Sequence, residues 1–131
     1  MHRILQPDGW VKPVGYANGV AARGRTIYVA GQIGWNHKAE FKSDDLAEQV
    51  RQTLKNVVAI LAEAGARAEH ITSMTWYLTD RMEYLANLKE IGVAYREICG
   101  RNFPTMAVVQ VVALMEERAK VEIQAVAVVP D

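Results

Sequence analysis

Two segments near the C-terminal end of the chain have the apolar pattern of β-strands. Residues 106–114 are apolar on both alternating faces, whereas residues 120–129 alternate more cleanly between an apolar face and a mixed one. A strand that is apolar on both faces is normally covered on both faces. Because only a short charged turn separates the two segments, they predict a hairpin in the middle of a sheet.

The mixed face of the second segment carries Glu122, a carboxylate with apolar neighbours on both sides. If the turn centres near Glu117, Met106 lies opposite Val128, and Glu122 lies opposite Val112. Met106 and Glu122 are then about six positions apart along the hairpin, roughly 20 Å. They could line one pocket only if a neighbouring copy of the chain supplied one of them.

Shorter apolar runs upstream predict the remaining strands. Residues 2–5 form a candidate edge strand, and residues 20–30 form a candidate hairpin that turns at Arg23. The second strand of this hairpin continues into Gly31, and a glycine inside a strand indicates a bulge or the close approach of another group. Residues 71–79 alternate in the same way and predict a further strand.

Two segments repeat apolar residues at helical spacing. Residues 45–64 begin at Asp45, with Glu48 three positions later, which is typical of a capping box. Residues 80–98 begin in the same way at Asp80. The predicted order is β-β-β-α-β-α-β-β, and two helices can cover only one face of the sheet. Other copies of the chain are therefore expected to cover the other face, in a homo-oligomer of closed symmetry.

The composition changes this picture little. The chain has 131 residues, 50% of them hydrophobic, which predicts one domain over residues 1–131. Its 15 basic and 15 acidic side chains cancel, so nothing indicates a general nucleic-acid or membrane binder. The single cysteine, Cys99, is expected to pack as a small apolar residue. No segment has the form of a signal peptide or a membrane span, which makes a cytoplasmic protein the default expectation.

Glu122 is the strongest candidate for a chemical role. The sequence has no nucleophile motif or phosphate loop, and its three histidines lack metal-ligand spacing. A carboxylate among apolar strand residues is suited to hold a proton or to activate a water molecule. The alternative is an ion pair between Glu122 and a basic residue at a subunit interface. A second candidate is Tyr16, in a glycine-rich loop that could form a pocket wall. The alternative for Tyr16 is a packing residue whose hydroxyl is hydrogen-bonded.

Six short segments, each weak alone, are specific in their order and spacing. They are Gly-Tyr at 15–16, Val-Ala-Gly-Gln-Ile at 29–33, Asn-Val-Val-Ala-Ile-Leu-Ala-Glu-Ala-Gly-Ala at 56–66, Tyr-Leu-Thr-Asp at 77–80, Phe-Pro at 103–104 and Val-Glu-Ile-Gln-Ala-Val-Ala at 121–127. With these segments the chain resembles the Rid (YjgF) family of small proteins over nearly its full length.

The resemblance implies a chorismate-mutase-like α+β fold, with a six-stranded mixed sheet and two helices on one face. It also implies a homotrimer with three clefts between subunits. In the best-studied branch these clefts hydrolyse reactive imines and enamines, such as 2-aminoacrylate, to 2-ketoacids and ammonia, without a metal or an organic cofactor. There an arginine binds the substrate carboxylate, while a glutamate and a backbone carbonyl are associated with the attacking water.

The family pattern transfers to this chain only in part. Glu122 matches the glutamate, which makes it the expected catalytic residue, and Tyr16 matches the tyrosine of the cleft loop. The strand that lines the cleft matches at Ala30, Gly31 and Gln32, although many members have serine at the first of these positions.

Two polar contacts of the family cleft are missing. Met106 stands where the deaminase branch has arginine, and a thioether cannot neutralise a carboxylate. Arg101 lies five residues earlier, too far along the chain to be taken as equivalent. The helix asparagine of many members falls on Gly92, and Gln124 replaces a frequent second glutamate.

Three hypotheses follow. In the first, a divergent Rid-like hydrolase acts on a small imine or enamine that is recognised without an arginine at position 106. In the second, the trimer binds a metabolite or docks a partner without turnover. In the third, the protein cleaves RNA, which zero net charge and the lack of a basic stripe argue against. The roles of Trp35 and His37 stay open.

Overall fold

The computed structural model describes residues 2–131. In these residues the chain forms six strands and three α-helices, which are β1 (Arg3–Leu5), β2 (Gly19–Ala21), β3 (Arg25–Ile33), α1 (Leu46–Glu63), β4 (Ile71–Leu78), α2 (Arg81–Ala86), α3 (Leu88–Cys99), β5 (Thr105–Gln110) and β6 (Val121–Val129). The predicted number of strands and the mixed strand pairing are confirmed.

The strands form two sheets rather than one. A four-stranded sheet has the order β3-β6-β4-β5, and β1 and β2 form a separate pair. The predicted hairpin with a turn at Arg23 is wrong, because β2 pairs with β1, with Leu5 opposite Gly19. A β-carbon at Gly19 would stand only 3.1 Å from the Leu5 side chain, so this glycine permits the close pairing of β1 and β2.

The predicted C-terminal hairpin is also wrong. Strand β5 pairs in parallel with β4, whereas β6 pairs antiparallel with both β3 and β4, so β4 lies between β5 and β6. Glu122 is accordingly opposite Tyr77 and Ile33 instead of Val112. The long segment after β5 explains the difference, since only a tight turn forces two successive strands to be neighbours.

The helices begin where they were predicted to begin. The Asp45 side chain accepts a hydrogen bond from the Glu48 N–H at the start of α1, and Asp80 accepts from Met82 and Glu83 at the start of α2. The predicted second helix is interrupted at Asn87, which ends α2 and begins α3. Its side chain donates to the Glu83 carbonyl at 2.7 Å, a local bond that competes with helix continuation.

Helix α1 packs on β3 and β6, and α3 packs on α1. The largest fully buried side chains between the helices and the sheet are Trp76, Leu46, Leu54, Leu61, Met74 and Ile123. The opposite face of the sheet is open in the single chain, with Tyr28 78% and Val109 43% exposed. That other copies cover this face therefore stays a prediction. No helix within residues 2–131 has the length and apolar character that crossing a membrane requires.

Gln49, on α1, connects three segments from a fully buried position. Its amide nitrogen donates to the carbonyl of Ser43 at 3.1 Å and to that of Arg118 at 2.9 Å, and its amide oxygen accepts from the Lys120 N–H at 2.8 Å. These bonds hold the segment before β6 against α1. They therefore fix the start of β6 and, with it, the position of Glu122.

Candidate functional site

The carboxylate of Glu122 lies directly against the backbone of Gly31. A β-carbon at Gly31 would stand only 2.2 Å from Glu122 Oε2, so this position accommodates the carboxylate because it has no side chain. The pairing of β3 with β6 is irregular between Val29 and Gln32, as the glycine had predicted. Gly31 and Glu122 are thus brought together on the open face of the sheet.

Strand positions next to Glu122 carry polar side chains. Tyr77 is directly opposite Glu122 in β4, and the Tyr77 hydroxyl is 3.5 Å from the amide oxygen of Gln124. Gln32 donates from its amide nitrogen to the Ala30 carbonyl at 3.1 Å. None of the ion pairs within residues 2–131 includes Glu122. The carboxylate is half-buried, and no cation of the described residues forms an ion pair with it.

Met106 lines a separate cavity of about 370 Å³ near the start of β5. Its walls combine apolar and aromatic side chains with two arginines, and the lining residues are Val14, Gly15, Trp76, Tyr84, Leu88, Ile91, Gly92, Tyr95, Arg96, Arg101, Phe103 and Met106. The lining includes no acidic residue. Such a cavity suits a ligand with an apolar body and a negative charge.

Aromatic stacking gives this cavity a rigid base. Tyr95 stacks on Phe103 with 5.7 Å between ring centroids, and its hydroxyl donates to the Asn102 carbonyl. Burial raises the pKa of the Tyr95 phenol well above its usual range, and the Cys99 thiol adds to this. Trp76, which also lines the cavity, has a buried indole N–H with no acceptor within residues 2–131.

Met106 and Glu122 lie on opposite faces of the sheet. Met106 is opposite Met74, which is opposite Ala125, three residues from Glu122. Two strand spacings and three residue positions put the two backbones about 14 Å apart. The expected 20 Å along one hairpin is wrong because β4 intervenes, and one chain does not bring the two side chains into one pocket.

Tyr16 lies beside the Met106 cavity without lining it. It follows Gly15, which lines the cavity at a φ of 81° that favours glycine. It precedes Ala17, whose N–H donates to the Pro104 carbonyl at 3.0 Å. The loop is thereby held to the start of β5, and the Tyr16 side chain remains 43% exposed at its edge.

Sequence reasoning missed Arg96 and left Arg101 without a role, although both line the cavity. The sequence signal that could have identified Arg96 is its spacing from Gly92, because residues four positions apart lie on the same face of a helix. A larger hollow of about 620 Å³ lies elsewhere, beside residues 112–115 and Arg118, and it contains neither Met106 nor Glu122.

The family model described as Endoribonuclease L-PSP matches residues 11–129. A solved structure from Yersinia pestis, a protein of the conserved Rid family called YyfB, superimposes with a TM-score of 0.87 at 28% identity and 98% coverage of both chains. The chain belongs to the Rid family. The predicted α+β fold of that family, with its helices packed on the sheet, is therefore confirmed.

Other Rid relatives are similarly distant. Human 2-iminobutanoate/2-iminopropanoate deaminase is 34% identical over 105 residues, which cover 79% of this chain and 73% of the human protein. A RutC family protein of Pyrococcus horikoshii is 30% identical over 128 residues, covering 97% and 98% of the two chains. The structure of Escherichia coli TdcF with bound serine aligns with a TM-score of 0.69 at 30% identity, over 97% of this chain and 98% of that one.

Proposed function

We propose that this Rid protein hydrolyses the C=N bond of a small reactive imine, or of an enamine through its imine tautomer, in clefts between copies of the chain. Glu122 is the catalytic residue of the proposal. The observation that carries it is the fit between the Glu122 carboxylate and the bare backbone of Gly31. Imine hydrolysis is the proposed reaction because relatives of the chain are named as imine deaminases.

In the proposed reaction, the Glu122 carboxylate removes a proton from a water molecule as the water oxygen attacks the imine carbon. The proton passes to the imine nitrogen, which gives a carbinolamine. The hydroxyl group of the carbinolamine then loses its proton to the amino nitrogen by way of Glu122, its oxygen forms the C=O bond as the carbon–nitrogen bond breaks, ammonia leaves, and a ketone remains. One imine and one water thus yield one ketone and one ammonia, and no redox step is required.

We propose that the complete cleft combines Glu122 of one copy with the Met106 cavity of another. Within one chain the two residues face away from each other. The open face of the sheet carries Glu122 together with exposed apolar side chains such as Val109, and covering it with neighbouring copies would bury them. A homotrimer of the kind implied by the Rid resemblance meets this requirement. Tyr16 and the β3 segment at Ala30, Gly31 and Gln32 would then border the substrate.

Met106 is expected to change the range of substrates. If it occupies the position of the arginine of the deaminase branch, a charge-assisted contact with the substrate carboxylate is lost, at a cost of roughly 2 kcal/mol. Small 2-imino acids would then bind some tens of times more weakly than in arginine-bearing relatives. A larger or more apolar substrate would lose less, because Met106 offers it an apolar surface.

The test is steady-state hydrolysis of 2-iminobutanoate and 2-iminopropanoate generated in situ, with product ketoacid measured. We expect slow turnover by the wild type and none above background by Glu122→Gln, which keeps the shape of the side chain and removes its basicity. Met106→Arg should accelerate the reaction of these two substrates.

Three results would contradict the proposal. Undiminished turnover by Glu122→Gln would exclude the carboxylate as the catalytic group. Wild-type rates equal to those of arginine-bearing relatives would refute the role given to Met106. Ligand-induced thermal stabilisation without product, over a wider panel of imines, would favour a binding protein instead of an enzyme.

A further inference from the structure

Arg96 reaches back along α3 over Gly92. Helical side chains point towards the N-terminus of their helix, and Arg96 Nη1 comes within 3.2 Å of the place where a β-carbon of residue 92 would stand. A β-carbon at position 92 would require the guanidinium, the far end of a flexible side chain, to shift by a few tenths of an ångström. The guanidinium thus packs over the bare backbone of Gly92 at the edge of the cavity.

No ion pair among residues 2–131 neutralises the positive charge of Arg96. No carboxylate lies within ion-pair distance of Arg96 or Arg101 in residues 2–131, and no acidic side chain lines the cavity. The neighbouring Glu97 is bound by Arg51 at 2.6 Å. The cavity therefore combines two unpaired guanidinium groups with an apolar wall at Met106.

We infer that Arg96 binds a carboxylate of the ligand in this cavity, with the apolar part of the ligand against Met106. The inference deepens the proposed function and rests on it for the identity of the ligand as a substrate. The ligand carboxylate is then bound by an arginine of α3, instead of by an arginine at position 106 of β5 as in the deaminase branch. The substrate class is a carboxylate on an apolar body large enough to extend from the helix to Met106, larger than a three- or four-carbon imino acid.

The probe is hexanoate, an apolar chain with one carboxylate, and its neutral counterpart is hexanamide. Both are titrated into ¹⁵N-labelled protein, and the amide shifts of residues around the cavity, including Gly15 and Gly92, give the two affinities. Because Arg96 is exposed to solvent, we expect wild-type protein to prefer hexanoate by only about three- to tenfold. Arg96→Gln should reduce this ratio to about one, while hexanamide binds as before.

Three further variants make the test specific. Lys89→Gln removes the same charge from an exposed position of α3 that does not line the cavity, and it should keep the full preference. Gly92→Ala requires Nη1 to shift by only a few tenths of an ångström, so it should keep the preference for hexanoate and the thermal unfolding midpoint. Arg101→Gln should reduce the preference less than Arg96→Gln does.

No binding of hexanoate, or equal binding of the two probes, would overturn the inference. So would a preference that survives Arg96→Gln, that is lost equally in Lys89→Gln, or that depends more on Arg101. Since no turnover is involved, failure of imine hydrolysis would leave a positive result intact. Conversely, an active hydrolase whose Arg96→Gln variant keeps the hexanoate preference would overturn the inference alone.

Discussion

Gly31→Ala separates the chemical role of Glu122 from its structural role. The new β-carbon would stand 2.2 Å from Glu122 Oε2 and 2.9 Å from its Cδ, whereas ordinary contacts begin at 3.4 Å. The carboxylate must therefore move by at least 1 Å. Because it is the far end of a flexible side chain, it can do so without moving the strand. We expect a change in the free energy of unfolding of less than about 1 kcal/mol.

The expected effect on catalysis is much larger. A misplacement of about 1 Å at a reacting group can lower a rate by about 100-fold. The assay compares kcat for imine hydrolysis with the urea midpoint in wild type and Gly31→Ala. We expect kcat to fall by one to two orders of magnitude, while the midpoint stays nearly unchanged.

Gly34→Ala is the matched control on the same segment. Its β-carbon would meet the backbone of Gln49, with Cα at 2.9 Å and the carbonyl oxygen at 3.0 Å. These atoms belong to α1 and cannot swing aside, so this variant should be destabilised by about 1–3 kcal/mol. Full activity in Gly31→Ala, or a loss of stability as large as that of Gly34→Ala, would refute the assignment of a displaceable catalytic carboxylate.

Three other predictions concern stability. Gln49→Leu leaves the Lys120 N–H and two carbonyls without their partner and should cost about 2–4 kcal/mol by urea unfolding; a cost below 1 kcal/mol would contradict it. Asp80→Ala removes the cap of α2 and should cost about 1 kcal/mol by the same measurement, so an unchanged midpoint would refute it. Burial raises the pKa of the Cys99 thiol from 9.0 to about 12. Above pH 9 the unfolded chain therefore loses this proton while the folded chain keeps it, and the free energy of unfolding should fall by up to about 1.4 kcal/mol per pH unit. Cys99→Ala should flatten that fall, and an identical slope would contradict the assignment.

Local signals explain what the sequence predicted correctly. The helix starts at Asp45 and Asp80 depend on side chains that bond to the next turn, so they can be identified without knowledge of the rest of the fold. The two faces of β6 follow from the alternation of its side chains. Gly31 was a correct indication of a close approach, because only glycine leaves room for the Glu122 carboxylate.

Long-range choices explain the errors. Strand β5 pairs with β4 and not with β6 because the helices and the long connection bring β5 beside β4. The alternation of side chains along β5 is compatible with either neighbour, so it could not decide between them. The role given to Arg96 was missed for a related reason. A lone arginine on a helix is usually a solvated surface group, and only the fold places this one beside Met106.

Mixing two inactive variants tests most directly whether the site is shared between copies. Glu122→Gln lacks the carboxylate, and Met106→Trp fills the cavity, so each should be inactive alone. In an equal mixture, unfolded and refolded together, about one quarter of the clefts would combine an intact Glu122 from one copy with an intact cavity from its neighbour. We expect about one quarter of wild-type hydrolysis from this mixture. A mixture as inactive as its two components would contradict the shared cleft.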